Sequence, residues 1–300
     1  MFEGCHVATI TPFREDQSVD YDRLAQFVES YVSSGIAGVV PCGTTGESPT
    51  LSHDEHQEVI RTTIQAAAGR LKVIAGTGSN STKEAVELTQ SAGAAGADAA
   101  LVITPYYNKP TQEGLYRHFS KIHDESEIPL VLYNVPGRTG THLAMDTFLR
   151  LAEKPRILAV KEASADIDLA SEIAMQTDLE VLSGDDSLTL PVLSIGGVGV
   201  ISVVANLFPA AMQELIDAFS SGRLKDALNL HRALFPICRA MFLESNPIPV
   251  KAAMRILGRD TGTVRLPLSP LSAEFEKELT RLIEPSQTES LPRTTSTISS

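Results

Sequence analysis

Eight short runs rich in Val, Ile, Leu and Ala recur along the chain, at 7–10, 39–40, 73–75, 100–103, 130–133, 158–160, 181–182 and 198–203. The segments between them carry apolar residues three or four apart, as in Leu24, Phe27, Val28 and Tyr31, or Val59, Ile60 and Ile64, the spacing of one helix face. Strand and helix alternating every 25 to 30 residues or so demand parallel strands joined by crossover helices. Such a sheet is covered on both faces, which is why its strands read as unbroken apolar runs. Eight units predict an α/β fold, a (β/α)8 TIM barrel with a C-terminal helical appendage. An open doubly wound sheet is the alternative, because strand count alone does not establish closure.

Strand signals stop near Leu224, so residues 1–224 are expected to form the barrel. Beyond it, Leu228, His231, Leu234, Ile237, Cys238, Met241 and Phe242 trace one helical face, and Pro247 and Pro249 interrupt it. A second face runs through Val250, Ala253, Met254 and Leu257 and is closed by Gly258; a third holds Leu271, Phe275, Leu279 and Leu282. Residues 225–284 are thus expected to be a helical domain. Residues 285–300, largely Ser and Thr without apolar periodicity, are expected to be a disordered tail.

Composition narrows the partners. With 25 Lys and Arg against 37 Asp and Glu, the formal net charge is −12, a field that repels phosphate backbones and anionic lipid. Neither nucleic acid nor a membrane surface is an expected partner. Cys5, Cys42 and Cys238 are odd in number and far apart, which suits a reducing cytoplasm, and the N-terminal residues show no export signal. No charge occurs between Asp186 and Glu214, a span long enough to cross a bilayer. Pro191, Gly196, Gly197, Gly199 and Pro209 break it into short pieces, and the expected structure is a buried strand with flanking helices.

Barrel active sites lie at the C-terminal ends of the strands. Lys161 ends the sixth run with the parity of Ile157 and Ala159. If that face is the interior, desolvation favours the neutral amine that attacks a carbonyl; the competing expectation is a lysine reaching out to water or a carboxylate. Tyr133 ends the fifth run with the parity of Val131, so adjacent strands would set its phenol beside Lys161, either to move protons or to serve as core. Arg138 follows through a Pro-Gly turn, either as a carboxylate-binding fork or as a surface residue. Gly43 and Gly46 permit a tight turn around Thr44 and Thr45, whose hydroxyls and neighbouring N–H groups suit a carboxylate.

Other motifs fall short. The 76–81 segment has Ser where a dinucleotide fingerprint needs its third glycine. His53 and His56 are three apart, not the four of a helical zinc pair. Gly196, Gly197 and Gly199 stand where many barrels bind phosphate, yet a glycine-rich strand packed on a bulky neighbour reads the same way.

Taken in order, the segments 43–47, 133–139, 161–164, 184–186 and 197–202 resemble those of the dihydrodipicolinate synthase family, within the pyruvate-dependent class I aldolases that include N-acetylneuraminate lyase. The resemblance spans about residues 1–284. It implies a homotetramer of barrels in which Lys161 forms a Schiff base with pyruvate and Tyr133, Thr44 and Tyr107 relay protons, Tyr107 coming from a neighbouring subunit. It assigns Thr45 to the pyruvate carboxylate, Arg138 to the carboxylate of L-aspartate 4-semialdehyde, and Gly184 and Ile201 to substrate binding. The implied product is 4-hydroxy-tetrahydrodipicolinate, on the diaminopimelate route to lysine. No metal or organic cofactor is implied, because the lysine supplies the electron sink. L-lysine is the implied effector, at Ser48, His53, His56, Asn80, Glu84 and Tyr106, although Pro49 stands where the family commonly has Ala. The alternatives are another pyruvate-dependent aldolase acting on a sugar acid or 2-oxo acid, and a non-catalytic barrel that binds small acids.

Overall fold

The computed structural model describes residues 1–283 and residue 291. Eight parallel strands close on themselves in chain order: β1 (Gly4–Ala8), β2 (Gly38–Val40), β3 (Lys72–Gly76), β4 (Ala99–Ile103), β5 (Leu130–Asn134), β6 (Ile157–Glu162), β7 (Glu180–Ser183) and β8 (Gly199–Ser202). β8 pairs back onto β1 from Gly4↔Gly199 to Val7↔Ser202, so the open-sheet alternative is excluded. Each expected run contains or overlaps one of these strands.

Parity along each strand separates two apolar layers. Inside the barrel, Ala8, Val40, Ile74, Leu101, Val131, Ala159, Leu182 and Ile201 pack together, with Phe2 beside them. Outward, Val7, Val39, Val73 and Val200 meet Phe27, Val28 and Tyr31 of the helix Tyr21–Ser33. On the opposite side Ala100, Val102, Leu130, Leu132 and Val160 meet Leu115, Phe119 and Ile122 of Gln112–Glu125. Burying each such large side chain contributes about 1.5 to 3 kcal/mol.

One parity expectation fails locally. β5 and β6 slip register between Leu130↔Ile157 and Val131↔Ala159, leaving Leu158 as the extra residue. Ile157 therefore joins the outer layer and Leu158 packs toward the interior, whereas Ala159 and Lys161 keep the inward face. The uncharged span 187–213 folds into the helix Thr189–Ser194, β8 and the start of the helix Pro209–Ser220. No described helix is long and apolar enough to cross a membrane. Its glycines serve packing: a Cβ on Gly199 would lie 2.0 Å from the Gly4 carbonyl oxygen.

Three helices follow the barrel, Leu224–Ala240, Ile248–Ile256 and Ala273–Ile283. Leu234, Ile237, Cys238, Val250, Ala253, Met254, Leu279 and Ile283 join the layer that holds Val7 and Val39, so they extend the barrel's own core. Leu228 and Phe242, expected on the buried face, remain partly exposed at 39% and 46%. The tail expected over 285–300 lies outside the described residues except for Leu291, which is buried in the same layer.

His6 on β1 is fully buried, with Nε2 against the Phe2 carbonyl at 2.9 Å. Burial lowers its pKa from 6.5 to about 4. The unfolded chain then binds more protons between those values, so this contribution to stability is present above pH 6.5 and is lost as pH falls toward 4, at about 3 kcal/mol in full. Denaturant unfolding across pH 4 to 7 should therefore show a shallower acid decline in His6→Gln than in wild type, and parallel curves would refute the assignment.

Candidate active site at the barrel mouth

β5 and β6 come back into register at their C-terminal ends, where Tyr133 pairs with Lys161 and Asn134 with Glu162. The first pair points inward. Lys161 and Tyr133 are each only 6% exposed, and the Lys161 Nζ lies 4.4 Å from the Tyr133 ring centroid. The lysine is thus held inside the barrel and does not reach out to bulk water. The second pair points outward: Asn134 Nδ2 donates to Glu162 Oε2 at 2.8 Å, and the Ser164 N–H donates to Oε1 at 2.7 Å. Burial raises the Glu162 carboxyl above its usual range against those bonds.

Lys161 and Tyr133 open into a cavity of about 560 Å³ that also meets Thr44, Thr45, Arg138 and Gly184. Five sequence-selected positions thereby converge on the amine. Arg138 is carried by the short helix Pro136–Thr139, and its Nη2 donates to the Asn246 carbonyl at 3.1 Å. Gly184 is required by packing, since a Cβ there would stand 2.4 Å from that of Ala163. Asp185, next to it, lines the cavity, and burial pushes its carboxyl up against the opposing pull of the Lys161 charge. Ile201 is buried in the interior layer with Tyr133 and is not among the residues that line the cavity.

Tyr107 is not brought to this cavity within the chain. It stands 90% exposed, at a φ of +73°.

A second cavity of about 400 Å³ shares Thr44, Tyr133 and Arg138 with the first and extends to Ser48, His53, His56, Glu84 and Tyr106. Asn80 joins this end through Tyr106, whose carbonyl accepts from its Nδ2 at 3.2 Å. His53 Nε2 is 2.9 Å from Glu84 Oε1, and Ser79 Oγ donates to Oε2. Those bonds hold the Glu84 carboxyl below its usual range. His56 is buried, with Nε2 2.9 Å from the Gly76 carbonyl. The two imidazoles line the same cavity but are engaged by separate partners.

Sequence reading missed Asn246. It lies between the helices Leu224–Ala240 and Ile248–Ile256, lines the large cavity, and its Nδ2 donates to Thr45 Oγ1 at 2.9 Å. The signal available in the sequence is the polar run 244–246 directly ahead of Pro247.

Fold and site together define a (β/α)8-barrel protein with a buried phenol and lysine, in register at the ends of its fifth and sixth strands, facing a cavity at the barrel mouth. The chain belongs to the dihydrodipicolinate synthetase family, whose profile matches residues 1–286. It is 53% identical over 282 residues to the 4-hydroxy-tetrahydrodipicolinate synthase of Methanothrix thermoacetophila, covering 93% of this chain and 95% of that protein. Its fold matches a chloride-inhibited dihydrodipicolinate synthase from Acinetobacter baumannii complexed with pyruvate, at TM-score 0.93 and 43% identity over 96% of this chain and 99% of that one. It also matches the family enzyme of Cyanidioschyzon merolae with lysine bound, at TM-score 0.93 and 39% identity over 97% and 99% of the two chains.

The Asn246 bond orients a hydroxyl in the cavity. If Thr45 holds the pyruvate carboxylate, as the family resemblance implies, Asn246→Ala should weaken pyruvate binding by about two- to tenfold, the worth of one hydrogen bond, read as the pyruvate concentration that half-saturates borohydride trapping. Unchanged saturation would show that Thr45 needs no such support.

Proposed function

We propose that this protein is a lyase that condenses pyruvate with L-aspartate 4-semialdehyde to give 4-hydroxy-tetrahydrodipicolinate. The observation that carries the reading is the Lys161–Tyr133 pair, buried and in register at the mouth of the large cavity. The Lys161 amine attacks the pyruvate carbonyl, water leaves, and an imine forms. Loss of a C3 proton gives the enamine, whose carbon attacks the semialdehyde aldehyde. The aldehyde oxygen becomes a hydroxyl, and the amine that the semialdehyde already carries then closes on the imine carbon and displaces Lys161. Overall, one water is lost.

Tyr133 and Thr44 carry protons in these steps, and Tyr107, exposed on its own chain, completes the relay in a neighbouring copy of a homotetramer. Thr45 holds the pyruvate carboxylate, and the Arg138 fork holds that of the semialdehyde. Of the two other residues assigned to substrate binding, Gly184 borders the cavity and Ile201 packs in the apolar layer that holds Tyr133. The chemistry calls on no metal or organic cofactor, and three buried free thiols suit a cytoplasmic setting.

L-lysine acts as effector at the far end of the second cavity. The favouring observation is that this cavity joins Glu84, His53, His56 and Ser48 to Thr44 and Tyr133 without a break. A Glu84 carboxylate kept ionised by Ser79 and His53 pairs with an ammonium.

Borohydride with pyruvate should add one reduced pyruvyl group, on the peptide containing Lys161, and none to Lys161→Ala; a label on another lysine overturns the mechanism. Arg138→Ala should keep the adduct and lose condensation by about ten- to a hundredfold. Full condensation by that variant would remove Arg138 from the semialdehyde carboxylate and with it the residue that favours this substrate. Glu84→Ala should lose inhibition by millimolar lysine while still forming the pyruvate adduct, and wild-type turnover unaffected by lysine removes the effector site alone.

A further inference from the structure

Beneath the 43–47 turn lies a pair of charges that the condensation does not use. Glu47 and Lys251 have side chains 1% and 0% exposed, with Oε1 and Nζ 2.6 Å apart. Taking two such ions out of water costs several kcal/mol each, in rough terms, and apolar residues of similar volume often serve stability as well. Stability is therefore a weak reason for the pair, and its geometry suggests another.

Every contact of the pair leads to the turn or away from it to a fixed support. Glu47 sits in the left-handed region at a φ of +54°, strained for a residue with a Cβ. Its N–H donates to the Thr44 carbonyl at 3.1 Å, and Thr11 Oγ1 donates to the Gly46 carbonyl at 2.7 Å. The second carboxylate oxygen accepts from the Arg265 N–H at 3.0 Å. Lys251 donates to the Thr263 carbonyl at 2.7 Å and lies 4.0 Å from the Phe13 ring centroid. Lys251 belongs to the helix Ile248–Ile256, and two residues before that helix Asn246 bonds the Thr45 hydroxyl. One short stretch of chain thus grips the turn at two points, Thr45 and Glu47.

We infer that Glu47 and Lys251 are positioning residues that hold the Thr44–Thr45 turn in the geometry that receives the carboxylate of the 2-oxo acid. The inference rests on the proposed condensation, because it assigns that carboxylate to the turn. Neither residue touches the reactants; the pair acts through the backbone bond from Glu47 to Thr44. Burial lowers the Lys251 ammonium below its usual range, and the Glu47 charge opposes that.

The test removes both charges together, so that neither is stranded. The double variant Glu47→Gln/Lys251→Met and the single variant Glu47→Asp, which withdraws the carboxylate by one methylene, are assayed as full-length protein. Readouts are thermal midpoint, borohydride trapping against pyruvate concentration, and the KM for each substrate. The double variant should raise half-saturating pyruvate by about tenfold and Glu47→Asp by about threefold, in line with losing or stretching a charge-assisted contact. Both should still trap one pyruvyl group per chain at saturation and keep the semialdehyde KM within about twofold. A folded variant with wild-type pyruvate dependence overturns the inference, as does an equal rise in both KM values, which would mark general loosening. If the double variant does not fold, Glu47→Asp decides by the same criteria. Failure of wild type to trap pyruvate would fall on the proposed condensation instead.

Discussion

Closure of eight parallel strands is the constraint on which the rest of this structure depends. Once β8 bonds to β1, every strand has one face toward the axis and one toward the helices, and alternation decides which side chains meet at the mouth. Tyr133 and Lys161 become neighbours because adjacent strands bring directly paired residues together on the same face. Asn134 and Glu162, one residue further on, share a contact on the opposite face for the same reason. The site is therefore a consequence of register, and a slip of one residue between β5 and β6 at this end would turn the lysine out toward the helices.

Such register is legible in a sequence where the pattern is apolar and local. The eight strands and the faces of Tyr21–Ser33 and His53–Ala67 follow from periodicity, and Lys161 and Tyr133 follow from parity counted back from the strand ends. Parity counted over a longer stretch went wrong at Ile157, because the extra residue Leu158 resets the alternation and nothing in the residue types marks the bulge. Asn246 and Glu47 were illegible for a different reason. Their importance lies in contacts across roughly 200 residues, Asn246 with Thr45 and Lys251 with Glu47, and periodicity carries no information about pairings of that range. Tyr107 is the opposite case: family likeness singles it out, while on its own chain it stands exposed and away from the cavity.

The long-range contacts also change how the C-terminal helices are understood. Periodicity presents them as an appendage, yet their apolar residues share a layer with Val7 and Val39, and the loop ahead of Ile248–Ile256 walls the cavity with Phe242, Glu244, Ser245 and Asn246. In a barrel whose mouth is built from loops, a segment that docks on the outer helices and returns over the rim supplies specificity without altering the strands.

The need for that support can be traced to β2. It is the shortest strand, three residues, so the turn after it leaves the ladder early and is held by local backbone bonds, Gly46 to Gly43 and Glu47 to Thr44, and not by strand pairing. The turn also contains two strained residues, Cys42 and Glu47, with φ of +56° and +54°. Each costs on the order of 1 to 3 kcal/mol and persists only where the surroundings over-determine it. Those surroundings are present: Gly76 presents bare backbone to the Cys42 carbonyl, where a Cβ would come within 2.2 Å, Thr11 holds Gly46, and the Ile248–Ile256 segment holds Thr45 and Glu47. Strain in the turn and burial of charge beneath it are then two parts of one arrangement. The backbone bends far enough to aim two threonines into the cavity, and an ion pair too costly to be kept for stability alone holds it in that bend.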